Sequence, residues 1–145
     1  EIVIRSTFIA GFPGETEADF QQTLSLLRAV SFDQAFIFRY SPRRDTPASA
    51  MNGQISEEEK MRRNRILLKE IDRSAEEKNG PLIGNRVEIL VEGSSKTNPE
   101  RMTGRTRTNK IVVFAGNERH HGRLMDVRVE RATTFTLYGD PAILD

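Results

Sequence analysis

The hydrophobic pattern of this 145-residue chain changes its period at the tripeptide Asn79-Gly80-Pro81. Before it, apolar residues recur at alternating strand and helix spacings, whereas after it they alternate with polar residues in short runs. Glycine can adopt the left-handed conformation that ends a helix, and proline cannot continue one. The sequence therefore predicts two domains, residues 1–79 and 80–145.

The first domain has the pattern of a strand, a helix, a strand and a second helix. Residues 2–10 form an apolar, β-branched run that ends in a Gly-Phe-Pro-Gly turn signal. Thr16 with Asp19 nearly matches a capping box, and apolar residues follow at helical spacing. The next apolar run, 35–40, completes a βαβ unit whose strands we expect to be parallel.

A highly charged stretch, residues 56–79, is predicted to form one long helix. Met61, Leu68, Ile71 and Ala75 are expected on its apolar side. Basic and acidic side chains interleave over the rest of the stretch, and ion pairs on a solvated face explain that pattern. We therefore assign no chemistry to this helix.

Short runs of alternating character, separated by turn signals, fill the second domain. Five short strands in so small a segment favour a small antiparallel β-barrel. The predicted strands are residues 86–92, 101–107, 110–115, 123–131 and 133–138.

The formal net charge of +1 conceals an uneven distribution. Between Lys96 and Arg131, 9 basic residues stand against 4 acidic ones. Such a surplus attracts polyanions, most commonly nucleic acid, although a merely solvated face would show it too. The candidate RNA-binding residues are Lys96, Arg101, Arg105, Arg107, Lys110 and Arg123, with Arg43 in the loop after the second strand.

The chain contains no cysteine, which excludes disulfides and thiolate metal ligands within it. Its two histidines, His120 and His121, are adjacent, so their side chains diverge on most backbones. We predict no metal site and no catalytic residue in this chain. No apolar run approaches the roughly 18–20 residues of a membrane helix, so we expect no membrane contact. The chain begins without Met inside a strand-like run, which indicates a piece of a longer protein.

The glycine turn at residues 11–14 ends a strand and opens a helix. Ligands of α/β proteins bind at that edge, because glycine allows close backbone approach and helix N–H groups are free. A Gly-Lys-Ser/Thr ending is missing, so the turn is not a P-loop. A connection without a ligand is equally compatible. On the strand itself, Arg5 and Thr7 share one face, where Arg5 suits either a ligand or a structural salt bridge.

Several segments together resemble the tRNA methylthiotransferases, which are radical S-adenosylmethionine enzymes with a C-terminal TRAM domain. The resemblance is particularly to the branch that adds a methylthio group to C2 of isopentenyl-adenosine beside the anticodon. The segments are residues 4–17, 32–36, 40–43 and 46–48 in the first domain and 90–96, 104–106 and 110–114 in the second.

The resemblance implies an α/β fold in which residues 1–79 are the last strands and helices of an open (β/α) barrel. Residues 80–145 would form the TRAM domain, a small OB-like β-barrel. The implied cofactors are S-adenosylmethionine and two 4Fe–4S clusters in the full-length enzyme, and the implied partner is tRNA at its anticodon stem-loop. Because the cluster cysteines are missing, the chain alone is predicted to be inactive. We expect the enzyme to be cytoplasmic and monomeric.

The resemblance also implies contacts with the adenosyl group of the cofactor. The residues expected there are Gly11, Phe12, Gly14 and Phe38, with Arg5 and Thr7 as further candidates.

One departure and two alternatives accompany the resemblance. Asp45 stands where the family's Tyr-Ser-x-Arg-x-Gly-Thr loop has Gly, and Asp tolerates a left-handed backbone better than most residues. One alternative is the sibling branch that methylthiolates an aspartate of a ribosomal protein; the Gly-Ser-Ser-Lys segment at 93–96 argues for the tRNA branch. The other alternative is a non-catalytic RNA-binding module.

Overall fold

A computed structural model of the chain describes residues 2–96 and 98–142. The chain divides into two compact units between Ser74 and Ala75, inside its longest helix. The boundary predicted from sequence lies slightly later, after Asn79.

The first unit contains the predicted order of strand, helix, strand and helix. Its two strands pair in parallel, with Arg5 opposite Gln34 and Ala10 opposite Arg39, so the predicted βαβ unit is confirmed. A 3-10 turn at Pro47–Ala50 interrupts the loop before the last helix. The elements are β1 (Arg5–Ala10), α1 (Glu17–Val30), β2 (Gln34–Arg39) and α2 (Glu57–Asn79).

Helix α1 begins at a complete capping box. The Thr16 hydroxyl accepts a hydrogen bond from the Asp19 N–H at 3.2 Å, and the Asp19 carboxylate accepts one from the Thr16 N–H at 2.9 Å. A cap of this kind contributes about 1 kcal/mol to helix stability. The apolar face of α1 enters the core through Phe20, Leu24 and Leu27, as its spacing predicts.

Helix α2 buries a different face from the predicted one. Ile71 and Ala75 are buried as expected, but Met61 and Leu68 are more than one-third exposed, so that part of the prediction is wrong. Leu67 is buried instead, because it lies four residues before Ile71 and therefore on the same side of the helix. Leu68, the next residue, points about 100° away from Leu67 around the helix axis. Towards the N-terminus, the buried side continues through charged side chains.

The second unit is built around a closed five-stranded barrel, which confirms the number of predicted strands. Its core consists of inward-pointing apolar side chains that alternate with exposed residues along the strands, among them Ile89, Val91, Phe114 and Leu137. The strands are β3 (Arg86–Ser94), β4 (Arg101–Thr106), β5 (Ile111–Ala115), β6 (Leu124–Ala132) and β7 (Thr136–Pro141).

One strand pair of the barrel is parallel, so the prediction of an antiparallel barrel is wrong for that pair. The order around the ring is β3-β4-β5-β7-β6, and β5 runs parallel to β7, with Val113 opposite Tyr138. An odd number of strands cannot alternate in direction around a closed ring. At least one parallel pair must therefore occur.

None of the helices formed by the described residues is both long enough and apolar enough to cross a membrane.

Candidate functional site

The sheet of the first unit has one covered face and one exposed face. Phe8 and Ala10 of β1 belong to the core, whereas Ile9 is 56% exposed. Its partner on β2, Phe38, is 55% exposed, and Phe36 is 52% exposed. The two phenylalanine rings stack with centroids 6.5 Å apart. Such a contiguous apolar surface is typical of a binding face.

Three of the predicted cofactor residues lie on this exposed face. Arg5 and Thr7 alternate with covered residues along β1, so they share the face of Ile9. Thr7 pairs with Phe36, and Ile9 pairs with Phe38, which brings the polar and aromatic groups together. The sequence interpretation missed Ile9 and Phe36, although their two-residue spacing from Thr7 and Phe38 would have identified them.

The other three predicted cofactor residues form the turn that follows β1. Gly11 and Gly14 both have left-handed backbones, with φ of +76° and +83°. The Gly14 N–H donates to the Gly53 carbonyl at 2.9 Å. Phe12 packs edge-on against Tyr40, with ring centroids 5.3 Å apart. The turn therefore lies beside the C-terminal end of β2.

The hydroxyl of Tyr40 is buried and has no hydrogen-bond partner among the described residues. A buried polar group without a partner is costly and calls for an explanation, such as a ligand or water. This hydroxyl belongs to the residue that follows β2, next to the glycine turn.

Two cations of helix α2 are buried beneath the turn. Lys60 is only 3% exposed and Arg63 only 5% exposed, so the predicted solvated face of this helix is wrong at these residues. The Lys60 ammonium donates to the Tyr40 carbonyl at 3.1 Å and forms an ion pair with Glu57. A side chain at Gly11 would collide with the alkyl chain of Lys60.

Arg63 reaches the turn through a carboxylate. It donates to the Glu15 side chain at 2.6 Å and to the Glu15 carbonyl at 2.9 Å. The same carboxylate accepts the Gly11 N–H at 2.7 Å. Burial opposes the charge of Arg63, but hydrogen bonds to Glu15 and Glu59 outweigh it and raise the pKa of the guanidinium. Helix α2 thus fixes the backbone of the glycine turn.

Arg43, the predicted RNA contact of the first unit, lies in the loop after β2. Its side chain is exposed, and its carbonyl accepts hydrogen bonds from the Thr46 hydroxyl and N–H. Asp45 has a φ of +63°, so it adopts the left-handed backbone expected where the family has Gly. The six other predicted RNA contacts lie on the second unit.

Three predicted RNA contacts lie near the connection between β4 and β5, and each has a partner. Arg105 forms an ion pair with Glu92 at 3.1 Å, and Arg107 forms one with Glu88 at 2.8 Å. The Lys110 ammonium donates to the Asn79 side chain at 2.7 Å. Carboxylates on the neighbouring strand β3 therefore neutralise two of these cations.

The remaining three predicted RNA contacts lie elsewhere on the barrel. Lys96 and Arg101 flank the β3–β4 connection, where the Arg101 carbonyl accepts the Ser95 N–H at 2.7 Å. Arg123 precedes β6, and its carbonyl accepts the Val91 N–H at 2.9 Å. These three cations thus lie at the ends of β3, β4 and β6 and not at the β4–β5 connection.

A groove on the outer surface of the barrel joins Arg101 to two residues that the sequence interpretation missed. Arg131 of β6 lies opposite Tyr138 of β7, and the guanidinium carbon is 3.8 Å from the ring centroid. These two residues and Arg101 line the groove with Val113 and Glu130. The pairing of β6 with β7 sets Arg131 beside Tyr138, and the pairing of β5 with β7, which the sequence interpretation missed, sets Val113 beside Tyr138.

Residues 82–142 match the family model described as the TRAM domain. This range includes all five strands of the barrel, β3 to β7, and it ends just after β7. The second unit carries a TRAM domain.

Similarity to curated proteins extends over almost the whole chain. A tRNA-2-methylthio-N(6)-dimethylallyladenosine synthase of Moorella thermoacetica is 48% identical over 139 residues, 96% of this chain. Synthases of the same name from Methylacidiphilum infernorum and Akkermansia muciniphila are each 48% identical, over 99% and 97% of the chain. The resemblance to the tRNA methylthiotransferases is thereby confirmed. The chain spans about 31% of the length of each of these relatives.

Proposed function

We propose that this chain forms the C-terminal part of an enzyme that adds a methylthio group to C2 of isopentenyl-adenosine next to the anticodon of tRNA. The observation that carries the proposal is the 48% identity, over 96–99% of the chain, to three synthases named for that product. The TRAM domain adds an RNA-binding module suited to a tRNA substrate.

The first unit would form one wall of the S-adenosylmethionine pocket, and further strands of an open (β/α) barrel would lie elsewhere in the enzyme. The exposed face of β1 and β2 suits this role, because Phe36 and Phe38 offer flat apolar surface to an adenine ring. Arg5 and Thr7 supply polar groups on that face, and the Gly11–Gly14 turn allows close backbone approach. The unpartnered hydroxyl of Tyr40 also favours a ligand at this edge.

When bound, S-adenosylmethionine with the 4Fe–4S clusters would supply the radical and the methyl group. The chain contains no cysteine, so both clusters would be held by other parts of the enzyme. In this chain, Phe36 and Phe38 would exclude water from the adenosyl group, while Lys60 and Arg63 would hold the turn in position.

The TRAM domain would bind the anticodon stem-loop chiefly by contacts with its phosphates. Affinity that depends on phosphate contacts falls steeply as the salt concentration rises. We place the enzyme in the cytoplasm, where it would meet tRNA as a monomer.

The names of the relatives favour the tRNA branch over the branch that modifies an aspartate of a ribosomal protein. The proposal of a non-catalytic RNA-binding module makes a different prediction about the complete reading frame. An enzyme of this class needs six cluster cysteines upstream of residue 1, and their absence would favour the module.

The test is product analysis with the full-length protein after cluster reconstitution. It is incubated with S-adenosylmethionine, a reductant, inorganic sulfide as the sulfur source and tRNA that carries isopentenyl-adenosine. The digested tRNA is then examined by mass spectrometry. We expect the 2-methylthio nucleoside, and we expect no mass gain on ribosomal proteins incubated in parallel. A modified ribosomal protein together with unchanged tRNA would overturn the proposal.

A further inference from the structure

The TRAM domain carries two kinds of arginine on its outer surface. Arg105 and Arg107 are held in ion pairs by glutamates of β3. In the part of the chain that the structure describes, Arg101 and Arg131 form no ion pair. A guanidinium without a carboxylate partner offers its full charge to a polyanion, whereas a paired one must first exchange its partner.

Arg101 and Arg131 line the same groove, which crosses the outer face of β4, β5, β7 and β6. The strand register sets Val113 opposite Tyr138 and Tyr138 opposite Arg131. The groove therefore has an apolar and aromatic middle with a cation on either side. Glu130 is the one acidic residue among those that line it.

The Arg131 side chain is already held in place for binding. Its guanidinium carbon lies 3.8 Å from the Tyr138 ring centroid, which is a close cation–π stack. A planar group fixed in this way loses little conformational freedom when a ligand binds. Guanidinium planes and tyrosine rings are also the surfaces on which unpaired bases stack in single-stranded RNA.

We propose that the groove lined by Arg101, Arg131 and Tyr138 binds one single-stranded nucleotide of the RNA substrate. Its phosphate would contact Arg101 and Arg131, and its base would stack on the Arg131–Tyr138 pair. This proposal rests on the proposed function, which makes RNA the partner, and it identifies a binding surface on the TRAM domain. An acidic peptide would satisfy the two cations but offers no purine-sized plane for the stack.

The experiment measures binding of a fluorescently labelled anticodon stem-loop RNA to the full-length protein by anisotropy at several salt concentrations. Arg131→Gln and Tyr138→Leu are expected to weaken binding about tenfold or more, because each removes half of the stack. Tyr138→Phe retains the ring and is expected to bind within about twofold of the wild type. Arg101→Gln should lower the slope of log affinity against log salt by about one, the value for one lost phosphate contact.

Arg119→Gln is the matched control, because it removes an exposed cation of the barrel, in the 3-10 turn Glu118–His120, that does not line the groove. We expect this variant to weaken binding less than about threefold. Melting curves of each variant show whether a loss of binding reflects unfolding. If Tyr138→Leu does not fold, the test rests on Arg131→Lys, which keeps the charge but removes the planar group stacked on Tyr138 and is expected to weaken binding. Binding of Arg131→Lys equal to that of Tyr138→Phe would then overturn the proposal.

Three results would overturn the proposal that the groove binds a nucleotide. If the wild type binds RNA and the groove variants bind equally well, the groove is refuted while the proposed function stands. If the wild type binds no RNA, both proposals fail. If poly-glutamate binds with the same sensitivity to Tyr138→Leu, the groove recognises acidic chains and not a stacked base.

Discussion

The two sheets of this chain bury their apolar residues in opposite ways. In the second unit, each of the five strands has two neighbours, and the apolar side chains point into a closed interior. In the first unit, β1 and β2 pair only with each other among the described residues, and only one face of the sheet is covered. The closed sheet buries its apolar face completely, whereas the open sheet leaves an aromatic face exposed.

Truncation of one phenylalanine in each sheet tests this comparison most strongly. Phe114 is fully buried in the barrel, and Phe114→Ala should lower the free energy of unfolding by about 3–5 kcal/mol. Phe38 is 55% exposed, and Phe38→Ala should change it by less than about 1 kcal/mol. Denaturant unfolding of both variants measures the difference.

Binding of S-adenosylhomocysteine to the full-length protein gives a second readout for the same pair of variants. Phe38→Ala should weaken it, because the ring would pack on the adenosyl group. Equal destabilisation by both substitutions would contradict the contrast between a closed and an open sheet.

An intermediate effect is expected at the glycine turn. Gly11 and Gly14 both have positive φ, but only a side chain at Gly11 would meet Lys60. Gly14→Ala should lower the free energy of unfolding by about 1–2 kcal/mol, because alanine is strained in a left-handed backbone. Gly11→Ala should lower the free energy of unfolding by about 1–3 kcal/mol more than Gly14→Ala does, because the Lys60 side chain must also move. Thermal unfolding of the two variants isolates the effect of Lys60, and equal melting temperatures would show that this packing is unimportant.

The smallest effect on stability is expected from the ion pairs of helix α2. Hydrogen bonds from Arg62 and then Arg63 lower the pKa of Glu59 from 4.5 to about 2. The stability from this carboxylate is therefore complete above pH 4.5 and is lost as the pH falls towards 2.

Melting curves of the wild type and Glu59→Gln, followed by circular dichroism, check this dependence. We expect the wild type to have a higher melting temperature than Glu59→Gln at neutral pH. The gap between the two melting temperatures should shrink below pH 4.5. Glu58→Gln, which removes an exposed charge from the same helical turn, is the control and should show no such convergence. A difference that is independent of pH would contradict the assignment.

Local patterns in the sequence predict local structure well in this chain. The capping residues at Thr16 and Asp19 correctly identify the start of α1, and Asp45 correctly indicates a left-handed turn. The buried cations of α2 could not be found in this way, because Lys60 and Arg63 lie among other charged residues with the same spacing. Which of them is buried depends on the position of the glycine turn, and periodicity carries no information about that.

The proposed binding surfaces show the same limit of sequence-based prediction. Arg5 and Thr7 share the exposed face that their alternation suggests, whereas Arg131 and Tyr138 come together through the strand register of the barrel. The parallel pair itself follows from counting five strands in a closed ring. That argument requires knowing that the ring is closed.

The parallel pairing of β5 with β7 also affects the order of events on the ribosome. Strand β6 closes the ring against β3 and β7 closes it against β5, so one hairpin provides both seams. A nascent chain that has exposed β3, β4 and β5 still presents two unpaired sheet edges. Because such edges favour pairing with other chains, the barrel is most prone to aggregate during the interval before residue 141 leaves the exit tunnel.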